Sequence, residues 1–163
     1  LKIAAQSYNE AGSLSDLEHK ITVKNEAGKS AKQSVVELEH RMKNLAEIIK
    51  YAEQYKDNRS YHIAYKKSKN PDAYFRRYES QIILYGGARR MLEQAGINLK
   101  GLNVDKLKAE YQELMKQKSE LTSTYKDCEK EVRELKRKQE NLNQYLRKNM
   151  PTTQDIKNRQ QSL

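Results

Sequence analysis

Residues 104–146 read VDKLKAEYQELMKQKSELTSTYKDCEKEVRELKRKQENLNQYL, and this stretch decides the fold. Val104, Leu107, Tyr111, Leu114, Leu121, Tyr125, Cys128, Val132, Leu135, Leu142 and Leu146 fall at alternating steps of three and four, with Lys118 and Gln139 keeping the register. That spacing winds an apolar stripe along one side of a helix, and a stripe so narrow is buried most simply against a second helix. Asn103 is placed to cap the first turn. Glu129 with Arg133, and Glu134 with Lys138, stand four apart with the acid first, the better orientation on a helix surface. Pro151 stops the run.

A partner stripe lies upstream. Leu14, Ile21, Gly28, Val35, Met42 and Ile49 take one seam position, and Leu17, Lys24, Ala31, Leu38, Leu45 and Ala52 take the other. The seam weakens between residues 23 and 34, where Lys24 and Gly28 occupy it, so a kink or fray is expected there. Residues 14–55 and 104–146 match in length to one residue. Two equal arms around one insertion fold most simply as an antiparallel hairpin, with residue numbers across the seam totalling about 159. Parallel dimerisation through either arm is the competing arrangement.

Composition agrees with thin seams rather than a thick core. Of the 163 residues 36% are apolar and 33% charged, with no Trp and one Phe, against roughly 45–50% apolar in ordinary globular domains. The expected architecture is all-α: a long antiparallel helical hairpin, or coiled coil, capped by a smaller helical tip. Its parts are a lead-in (1–13), with helix starts at Ser13 or Ser15, a first arm (14–55), a tip (56–102), a second arm (103–149) and a polar, disordered tail (150–163). Leu1 stands where a complete chain would carry Met, so a fragment of a larger protein is expected.

Within the tip, Asn70-Pro71-Asp72 opens a helix: Asn caps, Pro fits the first turn, and Asp faces the positive end of the dipole. Tyr74, Tyr78, Ile82, Tyr85, Ala88, Leu92 and Ala95 mark its inner face, and Gly96 ends it. Asn58 or Ser60 is expected to open a shorter helix through Tyr65. Gly86-Gly87 reads as a break or a close helix approach.

Chemistry-bearing constellations are few. His19, His40 and His62 are isolated and expected to face solvent, and none belongs to a metal-spaced set. Gly86-Gly87 lacks the third glycine and the Lys-Ser/Thr of a phosphate loop. Cys128 is the sole cysteine and sits on the seam, where a small buried hydrophobe is the expected role. No window approaches the ~18 apolar residues of a membrane span. No catalytic residue, metal or cofactor is therefore expected, nor membrane insertion, and a cytoplasmic setting fits the single cysteine.

Charge points elsewhere. The chain carries 32 Lys and Arg against 22 Asp and Glu, a net +10. Residues 41–90 hold twelve of those cations against five acids, together with seven of the eleven tyrosines and Phe75. Phosphates require cations and unpaired bases stack on aromatic rings, so interleaving both suits a single-stranded nucleic acid. The candidate contacts are Lys66, Lys67, Lys69, Arg76, Arg77, Arg89 and Arg90, with Tyr61, Tyr65 and Tyr74. Alternatively the tyrosines fill a small helical core while the cations coat it.

Three runs carry a family likeness: Lys69-Asn70-Pro71-Asp72-Ala73-Tyr74-Phe75-Arg76-Arg77-Tyr78-Glu79; then Tyr85-Gly86-Gly87-Ala88-Arg89-Arg90-Met91-Leu92; then Gly96-Ile97-Asn98-Leu99. With Thr124-Tyr125-Lys126-Asp127-Cys128-Glu129-Lys130-Glu131-Val132, they resemble the region that follows the nuclease domain in relaxases (mobilisation nucleases) of Gram-positive conjugative and mobilisable elements. The likeness spans residues 35–146. It implies a bacterial parent protein that nicks DNA at a transfer origin and pilots the strand. That family nicks with a tyrosine nucleophile and a metal held by clustered histidines, which this chain lacks, so none of its tyrosines inherits the role. What carries over is position: a helical extension that holds DNA, single-stranded by expectation, or docks onto conjugation proteins. A coiled-coil adaptor without a nucleic-acid role is the alternative.

Overall fold

The computed structural model describes the backbone of residues 2–149 and 153–162, with side chains from 12–149 and 156–162. Among the described residues there are four α-helices, one 3-10 turn and no strand. These are α1 (Lys2–Lys67), α2 (Pro71–Gln94), the 3-10 turn (Leu99–Gly101), α3 (Val104–Asn149) and α4 (Thr153–Gln161). The protein is all-α, and its two longest helices, α1 and α3, pack together. Contacts group the chain into two compact units, residues 35–120, and residues 1–34 with 121–163.

In the unit of residues 35–120, Glu39 meets Lys118 at 3.2 Å and Glu53 meets Lys108 at 2.6 Å. One number rises as the other falls, so the helices run antiparallel, and the totals of 157 and 161 bracket the expected 159. These ion pairs are half-exposed, where such pairs contribute at most about 1 kcal/mol. They report the register; the apolar seam holds it. Leu38, Met42, Leu45 and Ala52 of α1 are buried, as are Val104 and Leu114 of α3.

The same unit holds a second antiparallel pairing, between α1 and α2. Ring centroids lie 5.9 Å apart for Tyr65 and Phe75, 5.1 Å for Tyr61 and Tyr78, and 4.9 Å for Tyr55 and Tyr85. Ile82, Tyr85, Ala88 and Leu92 form the buried face of α2. The two pairings meet where Ala52, Leu92 and Val104 form one cluster, lined by Ile48, Tyr51, Tyr55, Ile97, Leu99, Leu102 and Leu107.

Local signals place the turns. The Asn70 side chain accepts from the Ala73 amide at 3.2 Å, Pro71 opens α2, and Asp72 lies in its first turn. Gly96 adopts φ 74°, where an L side chain is strained, and the Ile97 amide reaches back to the Leu92 carbonyl at 3.0 Å. Asn103 accepts from the Lys106 amide at 3.1 Å, capping α3. Pro151 lies outside the described residues.

In the unit of residues 1–34 and 121–163, Lys24 meets Glu131 at 2.6 Å. Ile21, Ala31, Cys128 and Val132 are buried, and Leu14, Leu17, Leu135 and Leu142 are half-buried. The weak stretch of the seam does not break α1, which is helical throughout 23–34. A Cβ at Gly28 would sit 3.2 Å from the Cys128 Cβ, tighter than ordinary packing. The glycine thus removes the side chain that would hold α1 and α3 apart.

Four expectations need correction. Helix α1 begins at Lys2, so residues 1–13 are no separate lead-in and Ser13 and Ser15 are interior. It also continues through Asn58 and Ser60: the Asn58 amide donates to the Gln54 carbonyl at 2.8 Å instead of capping a new helix. A face of Tyr51, Tyr55, Asn58, His62 and Tyr65, again at steps of three and four, keeps α1 intact against α2. Ala95 is the exposed C-cap of α2 rather than part of its inner face. Beyond Pro151 the expected disorder gives way to α4, whose side chains at 156–161 are all exposed; Gln, Arg and Lys favour helix without a buried face.

Leu92 is fully buried, so Leu92→Ala is expected to destabilise the protein by about 2–5 kcal/mol in chemical denaturation. Leu84, 44% exposed on the same helix, should tolerate Ala within about 0.5 kcal/mol. Equal losses at the two positions would contradict the assigned faces.

Candidate functional site

The tip gathers its cations because α1 ends on Lys66 and Lys67, which face the negative end of its dipole. Lys69 follows in the turn, and Arg76 and Arg77 lie within two turns of the α2 start. The Tyr65–Phe75 contact brings these helix ends side by side. Arg89 and Arg90 lie thirteen residues further along α2, at most roughly 20 Å away at 1.5 Å per residue. All seven are exposed, but the structure joins five of them at one end and sets two apart.

Their engagements differ. Arg89 pairs with Glu93 at 3.0 Å, the Arg76 Nε donates to the Asp72 carbonyl at 3.3 Å, and the Arg77 guanidinium lies 5.4 Å from the Tyr78 ring centre. Lys66, Lys67, Lys69 and Arg90 form no ion pair with a described residue. Charge at the turn is therefore largely uncompensated within the tip.

The tyrosines are placed differently. Tyr61, Tyr65 and Tyr74 are half-buried, and each ring touches another: Tyr61 meets Tyr78, Tyr65 meets Phe75, and Tyr74 meets Tyr78 at 4.7 Å. Burial, reinforced by Tyr78 and Tyr61, pushes the Tyr74 hydroxyl above its ordinary value. Tyr61 and Tyr65 join α1 to α2, and Tyr74 packs on Tyr78 within α2. Tyr78 departs from helical geometry (φ −121°, ψ 30°), a kink dividing the segment with Arg76 and Arg77 from the rest of α2.

One group escaped the sequence reading. His62 does not face solvent; it stacks on Tyr85 at 4.3 Å, and Tyr55 packs on Tyr85 at 4.9 Å. A polar side chain dropped out of an apolar pattern, although its seven-residue spacing from Tyr55 placed it two turns along the same face. Burial lowers its pKa, and Lys66 and Arg89 push the same way. A groove of about 450 Å³ opens beside this stack, lined by Tyr55, Tyr85, Arg89, Glu93, Ile97, Asn98, Leu99 and Lys100.

Gly86 and Gly87 sit inside α2 without breaking it. Each costs the helix about 1 kcal/mol relative to Ala, and a Cβ at either would meet nothing within 4 Å. Packing within the chain does not require them.

Among the described residues no group of three or more His, Cys, Asp or Glu side chains is placed to hold a metal ion, and no helix is long and apolar enough to cross a membrane. Cys128 is buried and unbonded, on the seam. Comparison with protein-family models, with curated proteins and with solved structures finds no match, so the likeness to the relaxase region rests on the residues quoted above.

Because the folded chain holds His62 neutral more readily than the unfolded chain does, stability is full above the ordinary histidine value near 6.5 and declines as pH falls from there towards the depressed folded value. An NMR titration should find His62 below 6.5, and His62→Gln should flatten the fall in melting temperature between pH 7.5 and 5. A titration at or above 6.5 would contradict the stack.

Proposed function

We propose that this chain is a non-catalytic, helical DNA-contacting module of a conjugative relaxase, acting through the phosphate backbone of a single strand at the turn between α1 and α2. The observation that carries the reading is five exposed cations, Lys66, Lys67, Lys69, Arg76 and Arg77, converging on one end of the tip. Cations so placed gain affinity by releasing counterions from a polyanion, and need no sequence-specific geometry to do so. The ring-to-ring engagement of half-buried Tyr61, Tyr65 and Tyr74 gives them a supporting part in this reading. Arg89 and Arg90 extend the contact along α2. Nicking belongs to a nuclease domain elsewhere in the parent protein, and the module holds or steers the strand.

A second reading is a coiled-coil adaptor that docks onto other transfer proteins. It is favoured by exposed apolar side chains along the helices, among them Val36 at 57% and Met115 at 42%.

Salt dependence separates the two. Binding of fluorescent single-stranded DNA should weaken linearly on a log–log scale, with about 0.7 of slope per phosphate contacted. Replacing Lys66, Lys67, Arg76 and Arg77 together by Gln should therefore reduce the slope by about 3. Absence of binding at low salt would favour the adaptor.

A further inference from the structure

The outer face of α2, opposite Ile82, Tyr85, Ala88 and Leu92, carries its own pattern at alternating steps of three and four: Arg76, Glu79, Ile83, Gly86, Arg90 and Glu93. In order these are cation, anion, apolar, gap, cation, anion. Reversed, they become anion, cation, gap, apolar, anion, cation. Laid antiparallel on a second copy, every member meets its complement: Arg76 meets Glu93, Glu79 meets Arg90, and Ile83 meets the notch at Gly86. A two-fold interface requires such self-complementarity, because one patch must serve both sides. A merely solvated face requires none.

The structure leaves that face open. Ile83 is 54% exposed, and Glu79 and Arg90 are exposed. The space above Gly86 is empty to 4 Å, which suits the Ile83 side chain of a second copy. The kink at Tyr78 precedes Glu79, so the four inner members share one regular stretch of helix. Glu93 already holds Arg89 through one carboxylate oxygen, leaving the other for Arg76.

We propose that this face pairs with the same face of a second copy of the chain, α2 against α2, about a two-fold axis passing between Leu84 and Tyr85. The pairing also gives Gly86 a role, since a Cβ there would meet nothing in its own chain but would fill the notch that receives Ile83. Arg76 and Arg90 are shared with the proposed DNA-contacting surface, whereas Glu79 and Ile83 are not, and Lys66, Lys67 and Lys69 take no part in the pairing. Glu79→Arg therefore tests the pairing without removing a cation of that surface.

Light scattering at rising concentration tests the proposal with single charge reversals. The wild-type chain should rise from 19.1 kDa towards twice that mass. Glu79→Arg and Arg90→Glu should each stay at the mass of one chain, with helical content unchanged by circular dichroism. An equimolar mixture of the two variants should regain the doubled mass, since each then supplies the charge the other lacks. A wild-type chain that remains single at all concentrations would overturn the proposal and leave the face to another partner. A dimer indifferent to both reversals would equally overturn it, pointing to pairing through the arms.

Discussion

Ala52 is the residue on which the 35–120 unit turns. It is fully buried between Leu92 of α2 and Val104 of α3, and only a side chain this small lets both helices approach α1 at one point. Below it α1 presents Leu38, Met42 and Leu45 to α3; above it α1 presents Tyr55, His62 and Tyr65 to α2. A chain with few large apolar residues cannot fill a spherical core, so it spends them in successive narrow seams, each one helix wide. The loop from Gly96 to Asn103 exists to return the chain from the end of α2 to that junction, and Asn98 and Asn103 each fold the backbone through a side-chain hydrogen bond.

That arrangement positions the candidate site. Because α2 lies back along α1, the C-terminal end of one helix and the N-terminal end of the next share a surface. The lysines of the former stand beside the arginines of the latter. An aromatic layer joins the two, so the cations lie exposed on packed helix ends. In the proposed reading, packed helix ends of this kind would need little ordering to contact a phosphate.

Much of this was legible from residues alone. Every seam position named for 14–52 and 104–146 is buried or half-buried, including the polar Lys24, Lys118 and Gln139, because the 3,4 spacing fixes the face whatever the residue. Asn70-Pro71, Gly96 and Asn103 announced their turns through backbone chemistry that acts locally. The failures share a cause. Asn58 and Ser60 carry cap-forming side chains and His62 a polar ring, which local pattern assigns to a helix start and to solvent. Packing against α2 instead continues α1 through the first two and turns His62 inward. The start of α1 at Lys2 and the helix α4 carry no apolar stripe, so periodicity does not announce the helix that intrinsic propensity supplies there. The convergence of the five turn cations was only half legible, since it depends on how α2 folds back.

The junction itself is open to direct observation. Methyl NOE spectra of the selectively labelled chain at dilute concentration should connect Leu92 to both Ala52 and Val104. Cross-peaks from Leu92 to neither, in a sample that remains helical, would contradict the hand-over of α1 from one partner helix to the other.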